Sequence, residues 1–215
     1  MEHISNNTGG SGIFIQIGAG AGDQDSSTNF HDGFADFIKK LPRDRIKKII
    51  LVEPNPYNIP FLKKSWEDYP EATIYQLGIL PKYVKDKDIT FYYHEDDGPH
   101  YQVTSVNINH IMKHYPNKDE TGIKTFTAPA KHLEEFIHEI TNEEIELLAL
   151  DIEGIDAEVL LDLDYNNLKL KFLSFEHLHL GDHKCGVLEN LKNNKFQYLG
   201  NGIDYHGYDY LYVRV

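Results

Sequence analysis

Near the amino end, an apolar β-strand pattern runs directly into a glycine-rich turn, and this pattern limits the folds that the chain can adopt. Residues 13–17 (IFIQI) are followed by residues 18–22 (GAGAG), and a helical pattern of apolar residues covers roughly Gly33 to Leu41. Glycines at alternate positions allow the backbone to bend sharply and to approach a ligand without a β-carbon in between. Such a strand, turn and helix predicts a ligand site at the carboxyl edge of an open α/β sheet.

The rest of the chain alternates short β-rich runs with amphipathic segments, which is the pattern of a layered α/β fold. Residues 147–150 (LLAL) are continuously apolar, which indicates a central strand covered on both faces. Residues 200–207 are too few for a helical crossover, so the last two strands should pair antiparallel. We therefore predict a three-layer α/β sandwich with a mostly parallel sheet and an antiparallel C-terminal strand. Strands are expected at 13–17, 48–52, 73–79, 89–93, 124–128, 147–150, 172–175, 196–199 and 208–215, and helices at 33–41, from Pro56, at 130–140, after Gly154 and at 187–194.

Length and composition favour one packed domain. The chain has 215 residues, of which 40% are hydrophobic, and it shows no internal repeat or low-complexity linker. Residues 1–12 are polar and rich in glycine and asparagine, so we expect a flexible lead-in followed by a single domain at 13–215. The last predicted strand completes a sheet, which is compatible with a whole protein and with one domain fused to others in a longer protein.

The net charge and the cysteine content indicate which binding partners and which cellular compartment to expect. A net charge of −13 repels phosphate backbones, so we expect no nucleic-acid partner. No apolar run approaches the ~20 residues that a membrane-spanning helix needs, and residues 1–12 lack the regions of a secretory signal. Cys185 is the only cysteine, so no internal disulfide can form, which fits a reducing compartment. We expect a cytoplasmic protein without membrane insertion.

The carboxylate that ends the second predicted strand, Glu53, is expected beside the glycine turn, where it can accept hydrogen bonds from both hydroxyls of a ribose. The turn departs from the dinucleotide pattern G-x-G-x-x-G, because Asp23 stands at the third position after Gly20. Glu53 also lies 33 residues beyond Gly20, whereas dinucleotide folds place their acid about 20 residues on. S-Adenosylmethionine has no pyrophosphate to cradle, so we favour it as the cofactor, with NAD as the alternative.

Four segments resemble the motifs of one family. Residues 16–22 (QIGAGAG) resemble the first motif of FkbM-type methyltransferases, and residues 52–56 (VEPNP) resemble their E-P-x-P motif. Residues 148–160 (LALDIEGIDAEVL) are similar to the family's K-I-D-x-E-G-x-E-x-x-V-L block, and residues 173–177 (LSFEH) look like the strand that follows it. The resemblance implies a Rossmann-like class I methyltransferase fold. It also implies O-methylation of a hydroxyl on a sugar, a glycan or a related small molecule, with S-adenosylmethionine as cofactor.

The chain departs from the FkbM pattern at three positions. Gln16, Gly20 and Ala149 stand where the family usually has Asp, Asn and Lys. Loss of the Asp and the Asn would alter how the amino group of the cofactor's methionine is held. Two other functions therefore stay open: an NAD-dependent Rossmann oxidoreductase, and a non-catalytic nucleoside-binding or interaction domain with the same fold.

Two groups of residues are predicted to form the site. The cofactor group comprises Gln16, Gly18, Ala19, Gly20, Gly22, Glu53, Pro54 and Gly78. The catalytic group comprises Asp151, Glu176 and His177, which follow neighbouring predicted strands and would supply a base for a hydroxyl. The same three side chains also suit a divalent cation such as Mg²⁺ or Mn²⁺. Glu153 is interpreted mainly as a cap of the following helix, and His179, Asp182 and His183 as further ligands of such a metal.

Overall fold

The computed structural model of the chain describes residues 11–24, 32–97, 103–115, 120–203 and 207–215, so most of the predicted lead-in lies outside it. Its strands are β1 (Gly12–Ile17), β2 (Ile46–Val52), β3 (Ala72–Tyr75), β4 (Gly78–Leu80), β5 (Asp88–His94), β6 (Ile123–His132), β7 (Ile145–Leu150), β8 (Leu170–Glu176), β9 (Phe196–Asn201) and β10 (Asp209–Arg214). Its α-helices are α1 (Gly33–Lys39), α2 (Ile59–Ser65), α3 (Ile108–His114), α4 (Leu133–Ile140), α5 (Asp156–Asp162) and α6 (Lys184–Asn193). No helix in these ranges is long and apolar enough to cross a membrane.

Seven strands form one sheet in the order β3-β2-β1-β7-β8-β10-β9. β1 lies between β2 and β7 and is parallel to both, and β7 is also parallel to β8. β10 runs antiparallel to β8 and to β9, as the short connection before it predicts. The carboxyl ends of β1, β2, β7 and β8 therefore meet at one edge of the sheet, which is where open α/β sheets bind their ligands.

Helices cover both faces of this sheet, because alternate strand residues point in opposite directions. Phe14 and Leu147 belong to a core shared with α1 and α2. Ile15 and Leu148 belong to a second core shared with α4, α5 and α6. β7 lies at the centre, and all six of its residues are buried. The predicted three-layer α/β architecture is confirmed.

The third predicted strand, at 73–79, is wrong as a single element. β3 lies at the edge of the main sheet, whereas β4 pairs with β6 in a separate three-stranded sheet of order β4-β6-β5. A β-carbon on Gly78 would lie 2.5 Å from Cζ of Phe91, so the glycine allows β4 to pack directly against a ring of β5. Strand propensity alone does not show that the chain changes sheets between Tyr75 and Gly78.

Two helices begin later than their sequences predict. α4 begins at Leu133 rather than near Ala130, since β6 continues to His132 and pairs there with β4. α2 begins at Ile59 rather than at Pro56 and carries Pro60 in its first turn. A missing amide hydrogen costs little at that position, because the first amides of a helix have no partner within the helix.

The glycine turn after β1 reflects a close approach between the carboxyl ends of β1 and β7. A β-carbon on Gly18 would lie 1.7 Å from the carbonyl oxygen of Asp151, and Gly18 has a φ of 81°. The amides of Gly18 and Ala19 both donate to the carbonyl oxygen of Val52, at 2.9 and 3.0 Å. Gly18 follows β1 directly and contacts the ends of both β2 and β7.

We predict that Gly18→Ala lowers the free energy of unfolding by more than about 2 kcal/mol. A left-handed backbone alone costs a non-glycine residue about 1–2 kcal/mol, and the new β-carbon would also overlap the Asp151 carbonyl group. Urea denaturation of the ligand-free protein measures the change. Gly20→Ala is the matched control, because Gly20 also has a positive φ, 53°, but its β-carbon would meet no atom within 4 Å. Equal destabilisation by the two variants would contradict the steric role of Gly18.

Candidate active site

A cavity of 570 Å³ opens at the carboxyl edge of the main sheet. Its volume lies within the range of about 300–1,000 Å³ that small-molecule sites occupy. The glycine turn, the end of β2, the segment after β7 and the end of β8 line it, together with β4 of the small sheet. All eight residues of the predicted cofactor group line this one cavity: Gln16, Gly18, Ala19, Gly20, Gly22, Glu53, Pro54 and Gly78.

Glu53 is a buried carboxylate held against the turn by its neighbours. Its Oε2 accepts a hydrogen bond from the amide of Gly20 at 2.8 Å. Its Oε1 accepts from the amide of Asn55 at 2.8 Å and from Nδ2 of Asn58 at 3.4 Å. Burial raises the pKa of Glu53 to about 7, because these hydrogen bonds offset only part of the desolvation cost and the charge of Asp151 adds to it. The turn and the acid are thus side by side.

A second buried acid, Asp32, lies on the other side of the turn. Its Oδ1 accepts from Nε2 of Gln16 at 3.2 Å and from the amide of Phe34 at 2.9 Å, which caps α1. Its Oδ2 and Oε1 of Gln16 are buried and have no hydrogen-bond partner within the described ranges. Burial raises the pKa of Asp32 to about 6. Both residues line the cavity, and each has one buried oxygen without a partner among the described residues.

Sequence reasoning missed Asp32 because it lies in a polar segment with no regular pattern. Its signal was the position immediately before an amphipathic helix, where Asp is a preferred cap. The capping role accounts for the hydrogen bond that Oδ1 accepts from Phe34, but it gives Oδ2 no partner among the described residues. Oδ2 could therefore accept a hydrogen bond from a ligand.

Asp151 and Glu176 come together as predicted from their places at the ends of β7 and β8. Both line the cavity, and their carboxylate oxygens lie within 4.8 Å of each other and of a carboxylate oxygen of Glu153. Oε2 of Glu176 is 2.8 Å from Nδ1 of His179. This end of the cavity is therefore acidic, with an imidazole at its side.

His177 does not join these carboxylates, which corrects the predicted catalytic and metal-binding group. Its ring stacks on Tyr210 with 3.9 Å between the centroids, and its Nε2 is 3.3 Å from the carbonyl oxygen of Gly207. The histidine whose side chain contacts Glu176 is His179, two residues further along the chain than His177. The chain leaves β8 after Glu176 and enters the 3₁₀ helix Leu178–His183, which carries the His177 ring to Tyr210 and the His179 ring to Glu176.

Glu153 does not cap α5, contrary to the interpretation from sequence. The N-cap residue of α5 is Ile155, and no side chain caps it. Oε2 of Glu153 instead lies 2.8 Å from Nε2 of His110. Glu153 has a φ of 51°, in the left-handed region, and this conformation turns its side chain back toward α3.

Three histidines gather around Glu153, and two of them were missed by sequence reasoning. His110 and His114 lie one turn apart on α3, and His179 lies in the 3₁₀ helix Leu178–His183. Their ring centroids are 4.7 to 5.4 Å apart. The spacing H-x-x-x-H in a helical segment was the available signal. The other expected ligands, Asp182 and His183, are exposed and lie outside this group.

Comparisons with known proteins identify a family and several similar folds. Residues 16–209 match the family model described as the methyltransferase FkbM domain. The methyltransferase FkbM from Methylobacillus flagellatus is a similar solved structure, with a TM-score of 0.49 and 13% identity; the match covers 94% of this chain and 43% of that chain. The fibrillarin of Aeropyrum pernix, solved with bound S-adenosyl-L-methionine, has a TM-score of 0.43 and 11% identity over 99% of this chain and 72% of that chain.

The N-methyltransferase NodS from Bradyrhizobium japonicum is a third similar structure, with a TM-score of 0.46 and 10% identity over 98% of this chain and 89% of that chain. The present chain spans less than half the length of the Methylobacillus protein. No curated protein matches it significantly in sequence. The seven-stranded sheet, parallel except for β10, is that of the Rossmann-like class I methyltransferases. Since the FkbM match extends over most of the sequence, this chain belongs to the FkbM methyltransferase family.

Proposed function

We propose that this protein transfers a methyl group from S-adenosylmethionine to a hydroxyl of a sugar, a glycan or a related small molecule. The observation that carries the proposal is the contact between the Gly20 amide and the Glu53 carboxylate, at the mouth of a cavity of 570 Å³. It supports a nucleoside site on a fold whose family is that of methyltransferases. The bound cofactor would supply an activated methyl group on a sulfonium.

Glu53 is the residue that would hold the ribose. The Gly20 and Asn55 amides fix the two carboxylate oxygens in place, so little reorganisation is needed when a ligand arrives. Each oxygen has further acceptor capacity for one ribose hydroxyl. Glycine at position 20 keeps the adjacent backbone open, since no atom lies within 4 Å of where its β-carbon would be.

Asp32 and Gln16 would hold the methionine end. The family resemblance places an Asp where Gln16 stands, and Asp32 restores a carboxylate at the same place from the next segment of the chain. An ammonium group would satisfy Oδ2 of Asp32, and Oε1 of Gln16 would accept a second hydrogen bond. The two partnerless buried oxygens thus fit the charged end of S-adenosylmethionine.

Asp151 is the residue that we assign to the acceptor hydroxyl. A hydroxyl of a sugar is poorly acidic, so its proton must leave to a positioned base while the oxygen attacks the methyl carbon. Asp151 lies at the end of the central strand, faces the cavity and is near Glu53, whose pKa it raises. Its carboxylate belongs to the acidic cluster with Glu153 and Glu176, which supports a role at the acceptor hydroxyl.

The two alternative functions differ from this one in what they require. An NAD-dependent oxidoreductase needs a helix N-terminus directly after the turn to hold a pyrophosphate. In the described residues the turn runs into the short 3₁₀ helix Gly22–Gln24, and the next described helix, α1, begins at Gly33. A non-catalytic domain needs no base at the acceptor end, so a turnover measurement separates it from the enzyme.

We predict that Glu53→Gln weakens S-adenosylhomocysteine binding roughly 10- to 100-fold, because a hydrogen bond to a charged group contributes about 1.5–3 kcal/mol. Isothermal titration calorimetry measures the affinity, and Glu144→Gln, on an exposed glutamate, is the matched control. Unchanged affinity in Glu53→Gln would remove Glu53 from the site. Binding of NADH but not of S-adenosylhomocysteine by the unmodified chain would favour the oxidoreductase.

We predict that Asp32→Asn weakens S-adenosylhomocysteine binding about 10-fold or more and leaves binding of 5′-methylthioadenosine unchanged, since the second ligand lacks the amino acid portion. Asparagine also caps helices well, so α1 should be retained. Glu53→Gln serves as the comparison, because it should weaken both ligands. Equal loss of the two ligands in Asp32→Asn would contradict a contact with the methionine ammonium.

We predict that Asp151→Asn reduces methyl transfer at least about 100-fold and leaves S-adenosylhomocysteine affinity intact, since general base catalysis typically contributes 10²–10⁴-fold. Transfer of labelled methyl from S-adenosylmethionine to a panel of sugars and other hydroxyl compounds measures turnover. Asp44→Asn, on an exposed aspartate far from the cavity, is the control. Normal turnover in Asp151→Asn would refute the assignment, and an unmodified chain that binds cofactor but methylates none of the panel would favour the non-catalytic alternative.

A further inference from the structure

Four potential metal ligands converge at one end of the cavity from three separate segments of the chain. His110 and His114 come from α3, Glu153 from the segment after β7, and His179 from the 3₁₀ helix after β8. One ligand atom from each residue lies within 4.8 Å of all the others. Nε2 of His110 and Oε2 of Glu153 are 2.8 Å apart. The grouping is not an effect of sequence neighbourhood, since only His110 and His114 are close along the chain.

The backbone around the four side chains leaves room for them to approach one another and holds their segments in place. Gly154 has a φ of 91°, and a β-carbon there would lie 2.6 Å from Nδ1 of His110. Any larger residue would therefore push the imidazole away from Glu153. Oγ of Ser105 donates to the carbonyl oxygen of Glu153 at 2.7 Å, which holds the residue in its left-handed conformation. Asn107 caps α3 by accepting from the amide of Asn109 and so fixes the start of the helix that carries both histidines.

His110 and His179 favour the neutral form of the imidazole. Burial lowers the pKa of His110 to about 4, and the neighbouring His179 and His114 lower it further. Burial and the charge of His114 also lower the pKa of His179. Neutral imidazoles carry a lone pair, which is the form that binds metal ions.

We propose that His110, His114, His179 and Glu153 form a binding site for a divalent transition-metal ion of the zinc class. A set of three imidazoles and one carboxylate suits Zn²⁺, Co²⁺ or Ni²⁺ better than Mg²⁺ or Ca²⁺, which prefer oxygen ligands. Ligand atoms of a tetrahedral zinc site lie about 3.3 Å apart, given metal–ligand bonds of about 2.0–2.1 Å. His110 and Glu153, now hydrogen-bonded at 2.8 Å, would separate slightly to that spacing when the ion replaces the shared proton. His114, which is exposed, can approach by rotation of its side chain.

Glu176 would position one of the ligands. Its Oε2 contacts Nδ1 of His179 at 2.8 Å, so that Nδ1 donates to the carboxylate and Nε2 is left to bind the ion. Carboxylates commonly orient metal-binding histidines in this way. This site differs from the predicted Mg²⁺ or Mn²⁺ site in its ligands, because His177 is absent from it and three other histidines form its centre.

The ion would face the acceptor end of the cavity, since His114, Glu153 and His179 line it together with Asp151. A hydroxyl oxygen of the acceptor would be a fifth ligand from that side, since zinc sites can expand to five-coordinate during a reaction. The hydroxyl proton would then pass to Asp151, the oxygen–methyl bond would form, and the sulfur would keep the electron pair of the broken bond. This role rests on the proposed methyl transfer, whereas binding of the ion does not.

The test is metal binding by the full chain. Protein stripped with a chelator is dialysed against Zn²⁺ or Co²⁺ and analysed for bound metal, and the Co²⁺ form is examined by visible absorption. We expect one ion per chain, Co²⁺ bands typical of a four-coordinate site, and no displacement by millimolar Mg²⁺. His114→Ala and His179→Ala should each lower the affinity at least about 10-fold. His183→Ala is the matched control, because His183 is exposed and lies next to the site but outside it.

Three results would overturn the proposal: no stoichiometric binding by the unmodified chain, unchanged affinity in both His114→Ala and His179→Ala, or an equal loss in His183→Ala. Circular dichroism of the stripped variants shows whether each is folded, and His114 is the safest position because it is exposed. S-Adenosylhomocysteine affinity is measured on the same samples. A chain that binds Zn²⁺ but no S-adenosylhomocysteine would refute the proposed function and support the metal site, and the opposite pattern would do the reverse.

Discussion

The close approach of β1 and β7 at Gly18 is the constraint on which the rest of the site depends. The carbonyl group of Asp151 occupies the space that any side chain at position 18 would need. After this close approach at Gly18, the turn lies against the end of β2, and the amide of Gly20 donates a hydrogen bond to the Glu53 carboxylate. The same contact brings the segment after β7 to the cavity, with Asp151 at its start and Glu153 two residues later. The close contact of Gly18 with Asp151 thus affects the position of Glu53 and that of the segment after β7.

The parts of the structure that the sequence predicts well are those encoded by short segments. The strand and glycine turn, the apolar β7 and the antiparallel β10 each follow from residues that are adjacent along the chain. The placement of Glu53 also follows, since the end of a neighbouring parallel strand can reach only one edge of the sheet.

The parts that the sequence does not predict depend on contacts between distant segments. β4 leaves the main sheet because it finds a partner in β6, some 50 residues later. Asp32 reaches Gln16 from outside any regular pattern, and Glu153 turns away from α5 because His110 lies beside it. His177 looked like the natural partner of Glu176, but the 3₁₀ helix that follows β8 brings His179, three residues on, to Glu176 instead. Proximity along the chain was a poor guide to proximity in the cavity.

Three buried acids make the stability of the protein depend on pH, and two of them, Asp32 and Glu53, line the cavity. Burial raises the pKa values of Asp32, Glu53 and Asp156 to about 6, 7 and 7. A raised pKa means that the folded state takes up protons that the unfolded state releases, so the ligand-free protein loses stability as the pH rises from about 4 through 7. A sulfonium and an ammonium near these groups would offset that loss.

The complete burial of β7 has a consequence for how the protein opens. Amide hydrogens of this strand can exchange with solvent only when the whole sheet separates, so their exchange should be the slowest in the molecule. His110, His114 and His179 are carried instead by short helices of seven and six residues outside the main sheet. Amide exchange should therefore be faster in the segments that carry the three histidines than in the strand at the centre of the sheet.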